Sequence, residues 1–144
     1  MSDPARSPFE IRLVEMYFGV PILEALAPEP TILTPEVNAQ FARQLLEQPY
    51  ERFAVVMDFR NVSYAASFGP DEEAQALRTE PFVEVARRAI AFVRFQASSM
   101  TSLVHGMRVN MLLQHFVRSH FAPDFESAVR AARRAIDRME VPAT

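Results

Sequence analysis

The chain has 144 residues, 49% of them hydrophobic and 23% charged, with a net charge of −3. That is one domain's worth of sequence, ordinary for a globular protein, and it carries no overall basic field that would draw it to nucleic acid or anionic membrane. Cys and Lys are both absent and all 15 basic residues are Arg, which excludes disulfides, thiolate catalysis, Schiff-base chemistry and a P-loop lysine.

No apolar stretch approaches the roughly 18 residues needed to span a bilayer. "MSDPARSP" (1–8) lacks the basic-then-apolar plan of a secretory signal. The expectation is a cytoplasmic protein, and the all-Arg basic set suits a GC-rich bacterial genome. Residues 1–8 read as a flexible lead, 9–139 as a single domain and 140–144 as a tail. Only three Gly occur, with no G-x-G-x-x-G loop to cradle phosphate.

"FEIRLVEMYF" (9–18) alternates apolar and polar residues as a half-buried strand does, with the phase slipping between Leu13 and Val14, the mark of a bulge. "GVP" (19–21) turns the chain into a second, antiparallel strand, "ILEAL" (22–26), which "APEP" closes. A helix is predicted over 34–49. Thr34 caps it, Pro35 takes the first helical position, Glu36 meets the positive end, and Val37, Phe41, Leu45 and Leu46 form its buried stripe. "FAVVMDF" (53–59) is apolar on both faces apart from Asp58, as an interior parallel strand must be. "GPDEEAQAL" opens a short helix, Pro81 interrupts, and "FVEVARRA" is helical again before a second interior strand, "IAFVRF" (90–95).

A helix over 98–117 follows, with Leu103, Val104, Met107, Met111 and Leu112 as its expected buried stripe. A brief strand is read near "SHFA" (119–122). The last helix (124–139) turns Val129, Ala132, Ile136 and Met139 inward and its arginines outward. This order predicts an α/β sandwich: a mixed sheet with two leading antiparallel strands, then parallel ones, and helices packed on it.

The order of elements and the stretch "VVMDFRNVSYAASFG" (55–69) resemble the STAS family, which includes bacterial anti-sigma factor antagonists. Asp58, Val62, Ser63, Tyr64, Ser67 and Gly69 fall on that family's pattern of strand, short loop and serine corner. Two positions depart from it: Ala66 stands where the family has Asp, and Phe68 where it has a second hydroxyl residue. The resemblance implies a non-enzymatic regulatory module. It would dock on a protein partner, an anti-sigma-factor-like or other regulatory protein, through the corner and the following helix. The corresponding surface is Asp58, Ser63, Tyr64, Ser67, Phe68, Gly69 and Asp71. It also implies Ser67 as a phosphoacceptor and the broader group of antagonist-like proteins with a degenerate corner. A homodimer is a further possibility; no cofactor, metal, nucleic acid or membrane is expected.

The residues themselves favour plainer roles. Ser67 reads as a small corner residue bonding a backbone amide, since Asp71, Glu72 and Glu73 crowd the helix start where a phosphate would go. At ~6–8 Å in water each such charge would repel by about 0.5–0.7 kcal/mol. Asp58 reads as a carboxylate satisfied by loop amides or an Arg. The spacings of His105, His115 and His120 fit no metal motif. Arg87, Arg88, Arg130, Arg133, Arg134 and Arg138 read as solvated helix faces. The 12 Phe and seven Met read as core. The alternative function is a small-molecule or lipid site near the strand ends and the 101–117 helix, for which a continuous apolar cavity lined by Phe and Met is the signature. An enzyme would need Asp58, a His and a hydroxyl to converge in one cleft.

Overall fold

The computed structural model describes residues 7–112 and 119–140. Strand β1 (Glu10–Tyr17) pairs antiparallel with β2 (Val20–Leu26), and the register slips between Leu13 and Glu15, so the bulge sits where the sequence breaks phase. The two-residue loop between them, Phe18 and Gly19, has φ of 49° and 82°. Positive φ at both positions gives the turn whose twist matches that of the flanking strands.

From β2 onward the main sheet is parallel. Strand β4 (Phe53–Asp58) pairs with β2 and β6 (Ala89–Phe95), and β6 pairs with β7 (Ser119–Ala122), giving the order β1-β2-β4-β6-β7. The expected brief strand at 119–122 is therefore present. Two three-residue strands, β3 (Thr31–Leu33) and β5 (Val62–Tyr64), pair in parallel as a separate small sheet. Neither was anticipated, because three residues are too few to display a period.

Every residue of β4 is buried, and successive side chains enter different cores. Phe53, Val55 and Met57 pack with Phe41 and Leu45 of α1 (Pro35–Leu46) and with Phe82 and Val85 of α3 (Phe82–Arg88). Ala54 and Val56 pack with Val93, Phe95 and the inner side of α5 (Phe125–Glu140), namely Ala128, Ala132 and Ile136. Each large apolar side chain fully buried in this way contributes about 1.5–3 kcal/mol relative to exposure. Short α2 (Pro70–Ala76) and α4 (Met100–Leu112) pack on each other, with α4 also touching β7. The architecture is α/β, a mixed sheet with helices on it, as the order of elements predicted.

The helix caps follow the sequence signals. Thr34 Oγ1 accepts the Val37 N–H at 3.1 Å and Pro35 begins α1. Asp124 Oδ1 accepts the Ser127 N–H at 2.8 Å before α5. Two side-chain expectations are overturned. Arg88 does not face solvent: its guanidinium donates to the carbonyls of Leu46 (3.1 Å), Gln48 (3.2 Å) and Tyr50, tying off the C-terminal end of α1. Arg87, Arg130, Arg133, Arg134 and Arg138 are exposed as read. Met139 is exposed rather than inward, because the last turn of α5 sets it beside the Arg52 guanidinium.

Candidate functional site

The 65–69 corner is held by the small sheet. Ala65 N–H donates to Leu33 O at 3.0 Å and Phe68 N–H to Ala65 O at 2.9 Å. Of the predicted docking residues, Ser63, Ser67 and Asp71 are exposed, Tyr64 and Gly69 are half-buried, and Asp58 and Phe68 are buried. Phe68, 1% exposed, is a core side chain that plugs the α1/α3 layer. Asp58 is satisfied within its own loop: Oδ1 accepts the Arg60 N–H and Oδ2 the Arg60 guanidinium, each at 2.8 Å. The loop-satisfied carboxylate read from the sequence is thus what stands there.

The acids at the start of α2 divide in a way the sequence did not suggest. Glu72 Oε1 turns back to accept the Gly69 N–H at 3.0 Å, whereas Glu73 is 1% exposed and points inward. Asp71 and Glu72 are exposed. The expected wall of three acids facing solvent beside Ser67 is therefore corrected, since helical geometry sends the third residue to the opposite face. Among the described residues no backbone amide donates to Ser67 Oγ, so the expected bond is not made.

Glu73 anchors a buried polar network. Arg94, on interior strand β6, donates from Nη2 to Glu73 Oε2 at 3.2 Å and from Nη1 to Glu73 Oε1 at 3.4 Å and Tyr64 Oη at 2.9 Å. His105 Nε2 meets Glu73 Oε1 at 2.9 Å, and its ring stacks on Tyr64 with centroids 3.3 Å apart. Burial alone would raise the Glu73 carboxyl, but Arg94 and His105 together hold it below the usual carboxylate range. Burial likewise pushes the Tyr64 phenol up, with Glu73 adding to the shift and Arg94 opposing it. The Arg94 guanidinium, which burial would lower, is raised by Glu73.

Helix α4 is turned the opposite way from the expectation. Its buried residues are Ser102, His105, Gly106 and Val109. Met100, Val104, Met107 and Met111 are 72%, 57%, 53% and 72% exposed. Leu103 and Leu112 are half-buried. The reason lies in its inner partners: Glu73 and Tyr64 require His105, and Ser98 and Ser99, just before the helix, bond Ser102 Oγ at 3.3 and 3.2 Å. Ser98 Oγ also donates to Val62 O at 2.6 Å, fastening the start of α4 to the corner sheet. At Gly106 an added Cβ would lie 2.9 Å from the Phe121 ring, so only glycine lets α4 sit this close to β7. Outside, a groove of about 640 Å³ runs between α4 and β7, lined by Met100, Leu103, Met107, Phe121 and Pro123.

On the other side of the network, an apolar cavity of about 50 Å³ lies between the sheet and α1, α2 and α3. Phe41, Met57, Phe59, Phe82 and Phe92 line it, together with Asn38, Glu73 and Arg94. Asn38 and Arg94 are each 5% exposed, and among the described residues Asn38 Nδ2 and Arg94 Nε have no hydrogen-bond partner. An unpaired buried donor costs about 1–3 kcal/mol. The cavity has the Phe and Met lining that the ligand alternative named, with Asn38, Glu73 and Arg94 as polar members. It is bounded by α1–α3 and not by the 101–117 helix that was expected to flank it.

Asp58 and His105 share no bond, so these two members of the conjectured catalytic cleft are spent on Arg60 and on Glu73 respectively. His115 and the side chain of His120 lie outside the described residues. Among the described residues no cluster of His, Asp or Glu could hold a metal ion, and no helix is long and apolar enough to cross a membrane. Asn38, Glu73 and Arg94 were missed as site residues. Arg94 carried a signal: an Arg at the parity of Phe92 in an otherwise apolar interior strand must find a buried partner. Compared with models of known protein families and with curated proteins, the chain matches none.

Proposed function

We propose that the chain is a STAS-like, non-enzymatic interaction module of a bacterial cytoplasm. It docks on a regulatory protein through one face: the 65–69 corner, α2 and the outer side of α4. The observation carrying this reading is the reversed polarity of α4, with Met100, Val104, Met107 and Met111 in solvent and His105 and Ser102 inside. An outward stripe at that spacing does nothing for the core and suits a covering partner. Three of its four members are Met, whose flexible thioethers adapt to a docked surface.

The groove beside the stripe fits an amphipathic helix of the partner, its apolar anchors entering between α4 and Phe121. Exposed Asp71 and Glu72 favour basic residues flanking those anchors. Ser67, exposed at the rim, is where a phosphate would meet the partner rather than this chain's own core.

The test places a photo-cross-linking amino acid at 104 or 107, and at 16 on β1 as control, in cells of the native host. A discrete heterologous adduct is expected at 104 and 107 and not at 16, reduced at least tenfold when Val104→Asp is combined with the probe at 107. An adduct of twice the chain's mass, or none at either position, overturns the reading.

A further inference from the structure

We propose that the cavity under α1–α3 is a binding site for a small, neutral molecule with an apolar body and one acceptor oxygen, such as a short-chain ketone, aldehyde or alcohol. This goes beyond protein docking and rests on different residues. The 50 Å³ space holds about four groups of water size. That is far below the roughly 300–1,000 Å³ of sites for drug-sized ligands, which excludes a lipid chain.

The polar groups at its walls set the chemistry. Asn38 Nδ2 and Arg94 Nε are both donors, both buried, and both without a partner among the described residues. A guest oxygen accepting from them supplies what the protein leaves open. The charge of Arg94 is already balanced by Glu73, which lines the same cavity. An anionic guest would place a second negative charge beside Glu73 in a low-dielectric interior, so the acceptor is uncharged. Phe41, Met57, Phe82 and Phe92 enclose the remainder of the guest.

Acetone, acetate and xenon separate the alternatives, because acetone and acetate are nearly the same size. The measurement is an NMR titration following the Asn38 side-chain amide and the Arg94 Nε–H. Acetone is expected to shift both resonances saturably, with a dissociation constant on the order of millimolar for so few contact atoms. Acetate should bind at least tenfold more weakly, and xenon should enter without moving the two donor resonances toward a hydrogen-bonded position. Ala86→Leu, which narrows the cavity from α3 without touching a polar wall, should abolish the acetone shifts. Asn38→Leu should abolish the Arg94 shift, with circular dichroism confirming that both variants fold. No saturable acetone shift, acetate binding as well as acetone, or shifts surviving in a folded Ala86→Leu protein would each overturn the site. None of these outcomes depends on whether α4 docks a partner.

Discussion

Glu73 is the side chain on which most of the buried polar chemistry turns. Its carboxylate faces Arg94 and His105, with Tyr64 stacked against the latter and bonded to the former. Glu73→Gln leaves Arg94 as a buried charge without its counter-ion, a loss of about 3–5 kcal/mol. Because the folded carboxyl is held below its unfolded value of about 4.5, its stabilisation is fully present above that pH. It is lost as the pH falls through the depressed folded value. The gap between wild type and Glu73→Gln in urea denaturation should therefore be widest at neutral pH and narrow progressively below about pH 4.5. A gap independent of pH would show that Glu73 is not ionised in the folded state. At this scale Asp58 was legible, since a lone acid ending an interior strand has few ways to be satisfied. The Glu73–Arg94 pair was not, because it joins residues 21 apart on different elements.

Among the elements, the β1–β2 hairpin departs most from its local preference. Phe18 has φ of 49° and is 71% exposed, a bulky residue in the left-handed region with no burial to offset it. Asn or Asp followed by Gly is the preferred pair for such a turn. Phe18→Asn is expected to stabilise the fold by about 0.5–1 kcal/mol, measurable as a higher urea midpoint with unchanged slope. A lower midpoint would mean that the Phe18 ring, edge-on to Tyr17 at 4.7 Å, contributes more than the turn costs. Long periodic elements were readable: β4, β6 and α5 fall within one residue of their expected limits, and α1 ends three residues before its expected stop at Pro49. Helix α4 was readable as a helix but not in its orientation. Periodicity finds an apolar stripe but assumes that the stripe goes inward. Here the stripe lost to His105 and Ser102, whose hydrogen bonds lie on the opposite side.

For the whole molecule, the decisive arrangement is one sheet shared by two cores. β4 alone sends Phe53, Val55 and Met57 to one layer and Ala54 and Val56 to the other. Neither layer retains its floor if the other melts, so unfolding is expected to be a single transition. Far-ultraviolet and near-ultraviolet circular dichroism, the latter reporting mainly on the Phe- and Tyr-rich α1/α3 layer, should trace superimposable curves. Separated midpoints would indicate layers that melt independently. The sequence order predicted this layering, because interior strands apolar on both faces require cover on both sides. The Phe and Met content suggested that a cavity could exist but not where, because it is space left among side chains from α1, α2, α3 and the sheet.

The Glu73 carboxylate also belongs to two surfaces at once. Through Arg94 it borders the cavity, and through His105 it holds the inner side of α4. Energetic coupling between two binding events is reciprocal. A guest that alters docking on α4 through this carboxylate by some factor must have its own affinity altered by that same factor when a partner sits down. One buried acid thereby gives the proposed interaction module an input that its outer surface does not display.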